Sequence, residues 1–447
     1  MNRIKQIWTS LRESLWFLPA VMVAAAIFLA VVLIEIDVIF DHEWLSSYPR
    51  IFGAGADGSR GMLASIAGSM ITVAGLTFSL TIVAMSQVAS QYTSRVLRTF
   101  MRDRRNQFVL GFFVGIFAYC LVVLRTIRGG DEGRFIPSLA VFFGLLLAVA
   151  SVAVLIFFIH HIANSIQAAT IIERAAQETT AAVKRLFPKE LGEEAVSSTA
   201  EILDAFKDFN WQIIESPKTG FVQDISADAL LEFAKNQDCI VRMERGIGDF
   251  VNRAAPLAAV NAELGKKARD ELLDTFSIGT YRTIDKDAAF GVRQLVDIAL
   301  KALSPGINDT TTAVLCVNYL GAVLFELANR GVENPVRKDE QNRIRVLARG
   351  ATFGSLLDEA FDQIRDAASN NPAIYLQMLS AIESIAGQTK NEQRRRALNK
   401  HINLIAKEAA RTIESEYNRE QVRGRVLELT LKMSDFQNSD IVNAEKD

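Results

Sequence analysis

Four long stretches near the start of the chain carry almost no charge: residues 16–36, about 62–86, about 108–124 and about 136–158. At ~1.5 Å per helical residue they approach or exceed a ~30 Å hydrocarbon layer, so the pattern predicts four membrane-spanning helices within residues 1–165. After residue 173 the pattern changes to charged, helix-forming sequence broken by short strand-like runs. Residues 164–186 hold no Pro or Gly, which predicts that the fourth span runs on as a connecting helix before a loop at 190–200, the two making up segment 166–207. Residues 208–285 read as a small β-containing subdomain, with strands at 220–225, 239–242, 250–260 and 279–284, a helix at 227–236, and a turn at 245–249. Residues 286–437 read as a helical subdomain. Its helices run from 288 to the Ser304-Pro305-Gly306 stop, then over about 310–329, 347–367, 372–386 and 392–417, with a linker at 331–338 and a tail at 438–447. The predicted fold class is therefore a membrane protein: a four-helix transmembrane domain followed by a cytoplasmic α+β domain.

Charge sets the expected orientation. Arg3, Lys5 and Arg12 flank the first span on one side, and Arg95, Arg98, Arg102, Arg104 and Arg105 fill the second connection on that same side. Arg50, Arg60, Arg125, Arg128 and Arg134 lie on the other, beside Asp37, Asp41, Glu43, Asp57, Asp131 and Glu132. The bias favours both termini in the cytoplasm. The basic N-terminus precedes an apolar run too long for a signal peptide, and no small-x-small site follows at Glu35-Ile36-Asp37, so the first span is expected to be retained.

The second span is the most informative. Ser65, Ser69, Thr72, Ser79, Ser86 and Ser90 fall on one stripe spaced by fours and threes, with Leu76 and Val83 filling its gaps, and Gly61, Gly68 and Gly75 form a neighbouring stripe. Hydroxyls are wasted on lipid, so this face is expected to meet protein or water. Two readings fit. Small residues and back-bonded hydroxyls allow close helix packing, and several copies of the helix can line a pore with Leu76 and Val83 as its apolar constriction. Arg95, Arg98, Arg102 and Arg105 continue the three–four spacing as a basic stripe, which serves topology or binds anionic lipid head groups. His160 and His161 end the fourth span. Adjacent residues diverge by ~100° on a helix, so they read as interfacial polar groups rather than a joint metal site.

In the soluble half, Asp287, Arg293, Asp297, Ser304, Asn308 and Asp309 form a polar cluster in sequence. Arg293 and Asp297 are expected to pair at i, i+4, and Asn308 or Asp309 to cap the following helix. The cluster fits a ligand or interface site around the Ser304–Thr310 turn, and equally a plain capped helix–turn–helix. Gly246 and Gly248 lack the strand–helix setting of a phosphate loop. The basic run Arg394, Arg395, Arg396 and Lys400 reads as a solvated face. Cys120, Cys239 and Cys316 have no metal or disulfide spacing. A net charge of −2 and no basic–aromatic tract point away from nucleic acid. No catalytic motif appears, and no cofactor or metal is expected.

Three motifs carry a family resemblance. They are Phe78-Ser79-Leu80-Thr81-Ile82-Val83-Ala84 with Ser94-Arg95-Val96-Leu97-Arg98; Phe158-Ile159-His160-His161-Ile162-Ala163 with Ser165-Ile166-Gln167; and Phe290-Gly291-Val292-Arg293-Gln294-Leu295-Val296-Asp297-Ile298-Ala299 running into Ala302-Leu303-Ser304-Pro305-Gly306-Ile307-Asn308-Asp309. Together they resemble the bacterial predicted-membrane-protein family called domain of unknown function 2254, with Thr310 standing where Pro is expected. The resemblance implies an inner-membrane location and no reaction. The expectation is a homo-oligomeric ion channel or transporter-like assembly with a cytoplasmic regulatory domain. The alternative is a non-conducting sensor or scaffold whose cytoplasmic domain binds a ligand or partner. The expected partners are the lipid bilayer, further copies of the chain and a small ion or ligand.

Overall fold

In a computed structural model, residues 16–39, 55–92, 103–129, 135–187, 206, 209–331 and 336–444 are described, with side chains to residue 433. The chain divides into two compact units, residues 1–170 and 171–447.

The apolar runs of the first unit become α1 (Phe17–Ile39), α2 (Ala56–Gln91), α3 (Arg104–Thr126) and α4 (Ser138–Ser165). α2 and α3 outrun their apolar stretches at both ends and α4 outruns its own at the C-terminal end, because the backbone hydrogen-bond ladder continues into the flanking polar residues. The 36 residues of α2 span ~54 Å, well beyond a ~30 Å hydrocarbon layer. The core is built around α3: Val109, Phe113, Tyr119, Cys120 and Val123 are fully or almost fully buried. Small residues on α3 set the approach of α1. A Cβ at Gly111 would fall 2.9 Å from Pro19 Cα, and one at Gly115 would fall 3.4 Å from Ala26 Cβ. Asp37, at the end of α1, accepts the free N–H groups of Leu139 (3.2 Å) and Ala140 (3.0 Å), so a carboxylate caps the N-terminus of α4. Tyr119 donates to Ala140 O at 2.7 Å.

The predicted continuous helix 164–186 is two helices. α4 ends at Ser165 and α5 (Ala168–Leu186) follows. Ser165 Oγ donates to the His161 carbonyl at 2.7 Å, and Gln167 N donates to Asn164 O in a tight turn at 3.2 Å. Both bonds compete with the helical ladder, without Pro or Gly to signal it.

The second unit holds two sheets among its described residues. β1 (Gln212–Glu215), β3 (Val241–Met243), β5 (Pro256–Val260), β7 (Val336–Lys338) and β8 (Ile344–Leu347) form one, in the order β1-β5-β3-β8-β7. All its pairings are antiparallel except β3 with β8. β2 (Gly220–Ile225), β4 (Phe250–Val251) and β6 (Phe276–Gly279) form the other, β4-β2-β6. Pro256 begins β5 opposite Glu215, where the pairing skips Leu257 in a bulge of β5, so its missing N–H breaks no regular ladder. α6 (Ala227–Asn236) and α7 (Lys266–Asp274) bury Leu230, Phe233 and Leu272 against Ile214, Val222, Val241 and Leu257. β6 lies just before the predicted 279–284 strand. The β7–β8 hairpin occupies sequence read as linker and as the start of a helix.

The remaining helices are α8 (Ala288–Ala302), α9 (Thr310–Leu327), α10 (Phe353–Ala368), α11 (Pro372–Ala386), α12 (Glu392–Thr412) and α13 (Glu416–Ala444). The predicted helix 392–417 stops at Ile413, whose backbone is extended, and the backbone of the expected tail is helical to Ala444. Close approach again rests on glycine. A Cβ at Gly321 of α9 would lie 2.9 Å from Ala381 Cβ of α11, and one at Gly291 of α8 would lie 2.2 Å from Thr179 Oγ1 of α5. The basic run is only partly solvated. Arg394 (8% exposed) and Arg395 (7%) are buried, while Arg396 is open. Arg394 donates to Ala328 O (2.5 Å) and Arg330 O (2.7 Å), satisfying carbonyls just past the end of α9, and lies over the Phe353 ring.

Candidate functional site

The second-span residues singled out in the sequence lie together on one face of α2, which no other described residue covers. Ser65, Ser69, Thr72, Leu76, Ser79, Val83, Ser86 and Ser90 are all exposed, and a Cβ at Gly61, Gly68 or Gly75 would meet nothing within 4 Å. The opposite face, with Leu63, Ala67, Met70, Ala74, Thr77, Ala84 and Val88, packs inward. Ser65, Ser69 and Thr72 donate to the carbonyls of Gly61, Ser65 and Gly68 at 2.8–2.9 Å, so these hydroxyls are satisfied within the helix. Arg95, Arg98 and Arg102 lie outside the described residues. Arg105 is exposed on the first turn of α3.

The histidines at the end of α4 diverge as the helix geometry requires. His160 is exposed and bonds Asn164 at 2.9 Å. His161 is buried, its Nε2 3.0 Å from Asp103 Oδ2, and Asp103 is the N-cap of α3, accepting from Arg105 N at 2.9 Å. The sequence reading missed this partnership, since Asp103 sits in a basic connection 58 residues away.

The polar cluster of the soluble half resolves into separate pieces. Asp287 caps α8 through Phe290 N (3.0 Å) and holds Arg282 at 2.7 Å. It also presses on Gly248, whose φ of +90° and close contact exclude a side chain. Arg293 pairs with Asp297 at 2.8 Å and reaches Glu359 and Gln363 on α10. Asp309 caps α9, accepting from Thr312 N (3.0 Å) and Thr312 Oγ1 (2.5 Å), and these bonds hold its carboxyl below the usual value. Ser304 bonds the Lys301 carbonyl, and Asn308 is exposed with φ +49°, a left-handed conformation that Asn tolerates. Thr310 Oγ1 accepts from Asn371 Nδ2 at 2.7 Å, a bond that Pro could not make. Asp287, Arg293 and Asp309 bond to different partners, so the geometry is that of caps and interhelix ties.

A group with metal-ligand chemistry was not anticipated from sequence: Asp358 and Asp362 on α10 with His401 on α12 bring one ligand atom each within 4.8 Å. Its charges are already balanced. Asp358 accepts from His401 Nε2 (2.8 Å) and Lys400 Nζ (2.9 Å), and Asp362 from Arg365 (2.7 Å). His401 Nδ1 is buried with no hydrogen-bond partner among the described residues, so no acceptor holds the ring in the orientation of a ligating imidazole. Burial lowers the His401 pKa. Burial pushes Asp358 up, but hydrogen bonds from Lys400 and His401 outweigh it and hold the carboxyl down. We read this as a neutral core histidine under a salt bridge.

Several helices long and apolar enough to cross a bilayer, followed by an α+β region, define a multi-pass membrane protein. The sequence pattern of the predicted membrane protein family, domain of unknown function 2254, matches residues 12–384, and the chain belongs to that family. Uncharacterized proteins of Mycobacterium tuberculosis (strain CDC 1551 / Oshkosh) and of Mycobacterium bovis (strain ATCC BAA-935 / AF2122/97) are each 32% identical over 440 residues, covering 96% of this chain and 82% of theirs. No solved structure matches.

Proposed function

We propose that the protein is a homo-oligomeric channel or transporter-like assembly of the bacterial inner membrane. In this reading α1–α4 are the spans, both termini are cytoplasmic and the α+β region regulates the assembly. The observation that carries the proposal is the uncovered glycine and hydroxyl face of α2. Against lipid such a face forgoes apolar contact, whereas a second copy of α2 can approach it closely. Around a central axis, Ser65, Ser69, Thr72, Ser79, Ser86 and Ser90 supply a polar wall, with Leu76 and Val83 (53% and 63% exposed) as its narrow apolar points. The reading of four spans is supported by α9: although it is long and apolar enough to cross a bilayer, its exposed positions include Thr311 and Asn318 and its apolar side packs on α8 and α11. Expected partners are lipid, with Arg105 among its head-group contacts, and a small ion.

A second reading follows from the hydroxyls that bond back into their own helix. Satisfied in this way, they need no water, and the α2 face then serves as a dry seam in a non-conducting sensor or scaffold, with the Asp287–Asp309 region contacting a partner. Cysteine substitutions at Ser69, Thr72, Leu76, Ser79, Val83 and Ser86, probed with a charged thiol reagent after replacement of the native cysteines, separate the two. Labelling along the stripe, with conductance lost in Ser79→Leu, is the expected result. Uniform protection together with efficient cross-linking between copies establishes the sealed seam, and absence of cross-links sinks both.

A further inference from the structure

Five polar side chains buried in the first unit come from the first turn of α3 and the last turn of α4: Asp103, Asn106, Gln107, His161 and Ser165. They lie just outside the apolar stretches of the two helices, and buried ionisable side chains are rarely left without a partner. Two observations go beyond a simple capping pair. His161 Nε2 lies 3.0 Å from Asp103 Oδ2 and 3.4 Å from Ser165 Oγ. Both distances suit hydrogen bonds and also the ligands of one cation, since donors ~2.1 Å from an ion stand ~3.0 Å apart at right angles and ~3.4 Å apart at the tetrahedral angle. The second is Asn106. It is 6% exposed, and neither its amide oxygen nor its amide nitrogen meets a hydrogen-bonding partner among the described residues. It sits on the first turn of α3, three positions after the N-cap Asp103. A buried amide in this state has both its donor and its acceptor capacity open to a water or an ion. Phe157 stacks on the His161 ring (centroids 5.9 Å, planes 2° apart) and fixes the imidazole plane.

We propose that Asp103, Asn106, His161 and Ser165 form a binding site for one divalent transition-metal cation. His161 Nε2 and the Asp103 carboxylate are the strong ligands, and the Asn106 amide oxygen and Ser165 hydroxyl complete the donor set. His161 then carries its proton on Nδ1. One imidazole among oxygen donors selects Zn²⁺, Mn²⁺ or a similar ion over Mg²⁺ and Ca²⁺, which prefer oxygen alone. The proposal does not depend on conduction.

The test is metal titration of the full-length, metal-stripped protein in detergent, read by competition with a chromophoric chelator and by elemental analysis. The expected result is one equivalent of Zn²⁺ or Mn²⁺ per chain and none of Mg²⁺. His161→Gln, which keeps a hydrogen-bonding group for Asp103, should weaken binding by about tenfold or more, and Asp358→Asn should leave it unchanged. Asn106→Asp adds a carboxylate and should tighten binding by about tenfold, an outcome that a misfolded variant cannot mimic. The proposal is overturned if no stoichiometric binding occurs, if binding follows Asp358 rather than His161, or if Asn106→Asp leaves affinity unchanged.

Discussion

Thr179 stands in the space that a side chain on Gly291 would need: its Oγ1 is 2.2 Å from where that Cβ would be. The hydroxyl is tied to Ala175 O at 2.6 Å, so it cannot swing away freely. Gly291→Ala should therefore destabilise the soluble half by about 1–3 kcal/mol, the usual cost of overpacking. Thermal unfolding of the single variant and of Gly291→Ala with Thr179→Ala checks the cause. The double variant should regain part of the loss, because the nearest remaining contact is the Thr179 Cβ at 2.9 Å.

The two neighbouring arginines of α12 should behave oppositely. Arg394→Gln strands buried carbonyls past the end of α9 and should cost about 2–4 kcal/mol. Arg396→Gln removes an exposed i, i+4 pair with Glu392 and should change stability by less than about 0.5 kcal/mol. Chemical denaturation of both variants would expose any reversal of this order.

Ala254 holds φ at +63° in the turn between β4 and β5. It is exposed, so a glycine there gives up little packing and relieves the left-handed strain. Ala254→Gly should stabilise the protein by up to about 1 kcal/mol, seen as a higher melting temperature. A lower one would mean that the strain is relaxed in solution.

Burial holds the His401 pKa below its ordinary value of 6.5. Between those two values the unfolded chain binds a proton that the folded chain refuses, so stability rises with pH. The contribution is complete above pH 6.5 and is lost as pH falls from there through the lowered folded value. Melting temperatures measured from pH 7 down to 5 should fall, and His401→Gln should flatten part of that slope.

What the sequence revealed follows from the range of the forces involved. Uniformly apolar runs announce the helices of the first unit, because a span depends on composition alone. The caps at Asp287 and Asp309 and the Arg293–Asp297 pair are local, and their spacing discloses them. The β7–β8 hairpin was illegible because β8 is held by β3, with Val241 paired to Val346 across more than a hundred residues. Arg394 and Arg395 looked solvated because nothing nearby in sequence shows the carbonyls that bury Arg394. The hydroxyl stripe of α2 was visible, but that the described residues leave it uncovered emerges only from the packing of α3 against Leu63, Ala67 and Met70.

The central position of α3 divides the apolar helices into two kinds of tolerance to change. Half of its most apolar window is buried, against 17% for α1 and for α4. Most positions of α1 and α4 lie outside the packed core, where any apolar shape is accepted, so Leu, Ile, Val and Phe are nearly interchangeable there. For α3 the neighbours are Pro19, Met22, Ala26 and Ala140, whose shapes are fixed. Variation among relatives should accordingly drift freely on α1 and α4 while preserving hydrophobicity, and on α3 be held by side-chain volume, with Gly111 and Gly115 as its least replaceable positions.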